Sequence, residues 1–122
     1  NRENEYLPHN YERNCVVYSG THDNETLLGY FDSLPEKGYT YLQDYTGVKK
    51  REELADAVIR LAYQSVADTV ILQMQDILKK DNDARMNLPS TIGQNWRWRL
   101  KKEEFGEKQI AFLAKLADIY HR

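Results

Sequence analysis

The stretch Cys15-Val16-Val17-Tyr18-Ser19-Gly20-Thr21-His22-Asp23-Asn24-Glu25-Thr26 passes from a β-branched run through a polar turn into helix-forming sequence. Cys15 to Tyr18 is short, continuous and apolar, and it stops at Gly20. That is the pattern of a strand buried on both faces of a parallel sheet. Asn24 or Thr21 is placed to cap a following helix, with Glu25 in the first turn near the positive end of the dipole. Leu27, Leu28 and Phe31 recur at helical spacing, and Pro35 and Gly38 end the segment.

Outward from this stretch, residues 1–14 read as an irregular polar lead-in, in which Pro8 biases Leu7 towards an extended conformation. Residues 39–48 are Tyr-rich and punctuated by glycine, which predicts a loop or a short helical turn. From Lys50 to Val66 the pattern is helical, with Leu54, Ala57, Val58 and Leu61 on one face. Thr69-Val70-Ile71-Leu72 is a second strand-like run, followed by Gln73 to Asp76 and a polar segment. Strand, helix and strand spell the crossover unit of a parallel sheet. Residues 84–99 form a long loop containing Trp96 and Trp98. Residues 104–120 predict an amphipathic helix with Ile110, Leu113, Ala114 and Ala117 on one side, widened by Phe112, Leu116 and Ile119.

No repeat, low-complexity tract or linker divides residues 1–122, so one continuous piece without a second domain is expected. Two parallel strands make an incomplete inventory, since a (β/α)8 barrel takes about 250 residues. The expected class is therefore helix-rich α/β, the tail end of a barrel or of a doubly wound sheet. The chain begins at Asn1 without Met, and it reads as a piece of something longer.

Composition narrows the function. Seventeen Lys and Arg against nineteen Asp and Glu give a net charge of −2, which lacks the basic footprint of a dedicated nucleic-acid binder. No apolar run approaches the roughly 20 residues of a membrane span. The single cysteine, Cys15, excludes an intrachain disulfide framework and a multi-cysteine zinc site. A cytoplasmic setting is the expectation.

Ser19 to Asn24 is the sharpest local feature, because binding and catalytic groups sit at the carboxyl ends of parallel strands. Gly20 permits an unusual turn, and His22 and Asp23 offer two hydrogen-bonding groups, one anionic. The competing reading makes Asp23 and Asn24 helix caps only. Asn87, Asn95, Trp96 and Trp98 lie in the loop after the second strand, beside the first strand's end. An indole platform beside Asn and Asp suits a sugar, with its apolar faces and hydroxyl rim. The alternative buries both tryptophans as loop anchors and leaves Arg97 and Arg99 in surface ion pairs. His9 could line a site or tie down the lead-in, and His121 reads as solvated. A metal site is not expected, since His22 and Asp23 lack a second spaced ligand pair. Cys15 belongs to a strand and not to a Cys–His pair. No glycine-rich phosphate loop is present, and no cofactor is expected.

Five segments, taken in order, carry a resemblance: Tyr6-Leu7-Pro8-His9-Asn10-Tyr11, Val16 to Asn24, Gln75-Asp76, Arg85-Met86-Asn87, and Asn95-Trp96-Arg97-Trp98-Arg99. Together they resemble the C-terminal part of the 4-α-glucanotransferases, the amylomaltase or disproportionating-enzyme family, over essentially the whole chain. The resemblance implies a catalytic (β/α)8 TIM barrel, of which this chain supplies the last two strands and their helices. It implies retaining transfer of α-1,4-glucan segments between maltooligosaccharides by three carboxylates. Of these only the transition-state-stabilising one maps here, on Asp23, with His22, Asn87 and Trp96 as substrate-binding residues. The nucleophile and the acid/base would lie upstream, so the chain alone is expected to be inactive and, with barrel edges bare, to self-associate. Departures are mild: Ser19 stands where Thr is commoner, Glu25 where Asp is usual, and Leu88 and Ser90 in a loop usually written with Thr and Gly. An α-glucan hydrolase and a non-catalytic glucan-binding or interaction module remain as alternatives.

Overall fold

Two strands, β1 (Val16–Tyr18) and β2 (Thr69–Ile71), pair in parallel with Val16 opposite Thr69, Val17 opposite Val70 and Tyr18 opposite Ile71. The computed structural model describes residues 15–122, so the readings of Leu7, Pro8 and His9 lie outside the described residues. A parallel pair cannot be joined by a hairpin. Here the crossover consists of α1 (Leu27–Ser33), α2 (Glu36–Thr46) and α3 (Arg51–Gln64). After β2 come the single-turn α4 (Met74–Ile77), a 3₁₀ turn at Asn82–Ala84, a long loop, and α5 (Glu107–Ile119).

Both strands stand where the apolar runs place them, but β1 is buried on one face only. Val17 packs against Ala62 and Ala67, with Cys15 and Val70 alongside. Val16 and Tyr18, pointing the other way, are 45% and 50% exposed. The side chains alternate across the strand, and among the described residues helices cover only the Val17 side.

Thr26, rather than Asn24 or Thr21, caps α1. Its Oγ1 accepts from the Gly29 N–H at 3.1 Å, and this leaves Glu25 ahead of the helix and not in its first turn. Leu27, Leu28 and Phe31 enter the core as their spacing predicts, joining Leu54, Ala55, Ile59 and Leu116. The segment expected to be a loop is the eleven-residue α2. Pro35 sits at its N-cap, and Gly38 lies inside it rather than ending α1. Gly47, at φ 75°, closes it in the left-handed conformation that glycine adopts without steric cost. Its inner face is Tyr39 and Leu42, so tyrosine takes the place that an aliphatic residue occupies in a conventional helical pattern.

The buried stripe of α3 is Leu54, Ala55, Ile59 and Ala62, while Ala57, Val58 and Leu61 are half-buried. The expected face is thus turned towards the small residues, which allow α3 to lie close to its neighbours. In α5 the core residue is Leu116, flanked by Phe112 and Tyr120. Ile110 and Ile119 are exposed instead.

Arg122 ties α5 to the turn between α3 and β2. Its guanidinium donates to the carbonyls of Tyr63 at 2.9 Å, Ser65 at 2.7 Å, Ala67 at 2.6 Å and Asp68 at 3.3 Å. The first two are among the orphan acceptors left at the end of α3. Nearby, the Tyr120 hydroxyl accepts from Arg60 and Gln64. Arg122→Ala is expected to lower the unfolding free energy by about 1–2 kcal/mol, the scale of charge-assisted hydrogen bonds at a partly wet site. The midpoint of urea unfolding measures this, and an unchanged midpoint would show that water replaces the guanidinium without cost.

Candidate functional site

At the carboxyl end of β1 the chain leaves the sheet through a closed turn. The Ser19 N–H still donates to the Ile71 carbonyl at 3.1 Å. The side chain of Asn24 then folds back, its Oδ1 accepting from the Thr21 N–H at 2.8 Å and the Thr21 hydroxyl at 3.0 Å. Asn24 therefore shapes the turn instead of capping the helix. His22 and Asp23 are left at its apex, with side chains 55% and 49% exposed. Gly20 does not adopt a left-handed conformation. Its lack of a side chain serves another purpose, because a Cβ there would overlap the Gln73 amide.

The loop after α4 meets this apex. Asn87 Nδ2 donates to Asp23 Oδ1 at 2.7 Å, and His22 Nε2 lies 3.2 Å from Asp23 Oδ2. Arg85 donates to the Asp23 main-chain carbonyl at 2.8 Å and, through Nε, to the Asn87 carbonyl at 2.9 Å. Both carboxylate oxygens of Asp23 are thus oriented while the group stays open to solvent. The His22 ring lies against the Trp96 indole, with centroids 5.0 Å apart and planes inclined by 34°. Trp96 itself has φ 62°, a strained region for an aromatic residue. It is held there by its N–H donating to the Met86 carbonyl at 2.6 Å and by Arg99 donating to its own carbonyl at 3.0 Å.

The four residues singled out in the sequence, His22, Asp23, Asn87 and Trp96, therefore form one cluster. Trp96 is 52% exposed rather than a buried anchor. Asn95 is not part of the cluster. It braces the loop by accepting from the Leu88 N–H at 2.9 Å and donating to the Thr91 carbonyl at 3.1 Å. Cys15 sits half-buried immediately ahead of β1, and His121 is exposed beyond α5. Beside Asp23 an open cleft of about 700 Å³ is bordered by Ser19, Asn24, Glu25, Leu27, Tyr30 and Arg85. The Glu25 carboxylate is occupied, accepting from Asn82 Nδ2 at 3.0 Å and from Ser33 at 3.3 Å. Among the described residues no group of His, Cys, Asp and Glu is arranged to hold a metal ion.

Sequence reasoning assigned no role to Arg85, Gln73, Asn82 or Asp76. Asp76 is 1% exposed. Its Oδ1 accepts from the Leu27 N–H at 2.7 Å and its Oδ2 from Gln73 Nε2 at 3.3 Å. The signal available was a polar pair, Gln75-Asp76, interrupting the apolar residues just past the second strand-like run. Burial pushes the Asp76 carboxyl above its ordinary value of 3.8, against the pull of its hydrogen bonds to Leu27, Ser19 and Gln73. The folded chain therefore keeps this proton at a pH where the unfolded chain has released it. The stabilisation is complete below the unfolded value and is lost as pH rises through the folded one. Relative to Asp76→Asn, which cannot ionise, the wild-type chain is expected to lose stability as pH rises above about 4. Denaturant unfolding of both across a pH series measures the difference, and a flat difference would mean that Asp76 ionises as it does in water.

Residues 1–104 match a family model described as 4-alpha-glucanotransferase. The chain is 42% identical over 117 residues to the chloroplastic/amyloplastic 4-alpha-glucanotransferase of Solanum tuberosum, an alignment covering 96% of this chain and 20% of that protein. It is 44% identical over 122 residues to the 4-alpha-glucanotransferase of Clostridium butyricum, covering 98% and 25%. Among solved structures it is similar to an amylomaltase from Streptococcus agalactiae in complex with acarbose. That match has a TM-score of 0.92 at 41% identity and covers 98% of this chain and 24% of that one. The chain thus spans a fifth to a quarter of the length of these relatives. With a small parallel sheet, a helical crossover and a sequence matched along most of its length, the chain belongs to the 4-alpha-glucanotransferase family.

Proposed function

We propose that the protein containing this chain transfers α-1,4-glucan segments between maltooligosaccharides, and that residues 1–122 form the C-terminal part of its catalytic (β/α)8 barrel. No separate second domain is included in this assignment. The observation that carries the reading is the Asp23 carboxylate, held by His22 and Asn87 beside the exposed Trp96 at the carboxyl end of a parallel strand. Barrel enzymes build their sites at that end of the strands. The acarbose named with the amylomaltase neighbour is a sugar-like ligand. By analogy, the cluster around Asp23 takes a glucose unit of the chain being transferred.

In this reading the reaction is a retaining double displacement through an oxocarbenium-like state, with an enzyme carboxylate as nucleophile and a second as acid/base. Those two belong to strands outside this chain. Asp23 does not attack. It is fixed in place to accept hydrogen bonds from ring hydroxyls, bonds that strengthen as positive charge develops, and its own charge opposes that of the ring. His22 shares the same sugar, and Asn87 sets the direction of the carboxylate. Trp96 offers the open part of its indole to a sugar face while its other part supports His22. Transfer wins over hydrolysis when an acceptor sugar reaches the covalent intermediate before water. The names of the relatives favour transfer over simple hydrolysis. No cofactor enters this scheme. A cytoplasmic setting goes with it, Cys15 being the single cysteine of the sequence.

Maltotriose, incubated with the full-length protein, is expected to give glucose together with maltopentaose and longer chains. Asp23→Asn is expected to slow this by about 10²-fold or more, as loss of a preorganised electrostatic stabiliser does. Near-normal turnover in that variant would reduce Asp23 to a turn residue, and glucose with maltose alone would identify a hydrolase. The 122-residue chain by itself is expected to be inactive. With Val16, Tyr18 and Ile71 exposed on its sheet, it is also expected to self-associate through strand edges. Light scattering at high concentration decides that point, a monomer counting against it.

A further inference from the structure

Asp76 lies outside the group of side chains open to a sugar, yet it is linked to both ends of the loop that presents them, to Leu27 directly and to Ser19 through Gln73. At the exit, its Oδ1 takes the Leu27 N–H at the start of α1. This is a donor that the helix cannot satisfy internally. The neighbouring donors are satisfied as well, Thr26 N–H by Asn82 Oδ1 at 3.3 Å and Gly29 N–H by the Thr26 hydroxyl. At the start of the loop, Asp76 accepts from the Gln73 side-chain amide at 3.3 Å. Ser19 Oγ in turn accepts from the Gln73 N–H at 2.8 Å. The Gln73 amide fills the space in front of Gly20, immediately before Thr21 and the turn that carries His22 and Asp23.

We infer that Asp76 is a positioning residue for the transfer reaction, pinning Leu27 directly and Ser19 through Gln73, and thereby fixing the direction in which the 19–27 loop aims Asp23. The inference rests on the reading of Asp23 as the stabiliser of the transition state. A hydrophobic side chain at position 76 would fill the same space, but it would leave the Leu27 N–H and the Gln73 amide without their common acceptor. A carboxylate suits this buried place because its two oxygens, on one rigid group, accept from both at once. Protein groups one bond removed from a reacting constellation set its geometry in this way. A displacement of about 1 Å can cost on the order of 10²-fold in rate.

The test uses the full-length protein, with kcat and KM for maltotriose disproportionation and thermal unfolding measured in parallel. Asp76→Asn keeps an acceptor for Leu27 but turns an N–H2 towards the Gln73 amide. It is expected to lower kcat by about 10-fold or more, with KM changed by less than about 2-fold, the signature of an interaction realised in the transition state. Pairing it with Gln73→Glu exchanges donor and acceptor, restores one bond, and is expected to recover part of kcat in a double-mutant cycle. Ser19→Ala, which removes only the hydroxyl, is expected to shift kcat in the same direction by a smaller factor. It also decides the matter if Asp76→Asn does not fold. A purely structural role predicts lower unfolding temperatures with wild-type kcat measured below them, and that result in Asp76→Asn and Ser19→Ala overturns the inference. If the wild-type protein disproportionates and these variants do so equally well, only the role of Asp76 fails. If the wild-type protein does not disproportionate at all, the reading of Asp23 fails and this inference falls with it.

Discussion

The parallel pairing of β1 with β2 is the constraint on which the rest of the molecule depends. Because both strands run in the same direction, both of their carboxyl ends open onto one edge. The loop that follows Tyr18 and the long segment that follows Ile71 must therefore emerge side by side. An antiparallel pair would have sent them to opposite ends. The three-helix crossover is the geometric cost of this arrangement. The core of Leu27, Leu28, Phe31, Leu54, Ile59 and Leu116 holds the helices together, and Val17 packed on Ala62 and Ala67 holds the crossover against the strands.

Once the two loops are neighbours, polar contacts decide their shape. Few apolar side chains lie at this edge, and the residues that join the loops are Asn82, Arg85, Asn87, Gln73 and Asp76, each bonded across to the 19–27 segment or to its ends. Bonds of this kind are individually modest in water, but they are expensive to leave half-made where water is excluded. The buried Asp76 is the extreme case, its desolvation only partly offset by its donors. Trp96 shows the same logic from the opposite side. Its left-handed backbone is unfavourable on its own, and it persists because the Met86 carbonyl and Arg99 over-determine it.

Much of this architecture is legible in the sequence where apolar residues cluster tightly. Both strand-like runs are short and continuous, the face of Leu27, Leu28 and Phe31 carries a helical period, and the cluster of His22, Asp23, Asn87 and Trp96 is readable once the strands are taken as parallel. The readings that differ share a physical cause. Helix α2 was hidden because Tyr39 does the work of an aliphatic residue. The inner faces of α3 and α5 were rotated because alanines at 55 and 62 mark close approach, whereas larger residues such as Ile110 stay exposed. The cap of α1 falls on Thr26 since Asn24 is engaged in its own turn. Asp76 was silent because a buried carboxylate is defined by its partners, and those partners lie far away in sequence.

That distance has a consequence for how the molecule comes into being. Sixty-four positions separate Asp23 from Asn87, and forty-nine separate Leu27 from Asp76. Contacts of such long range are slow to form, since the entropy of closing the intervening chain is lost before any bond is gained. The helices can gather from near neighbours, but the edge around Asp23 exists only after β2 has found β1. Its assembly is thus expected late in folding, and a chain caught before that stage would carry most of its helix and none of the edge around Asp23.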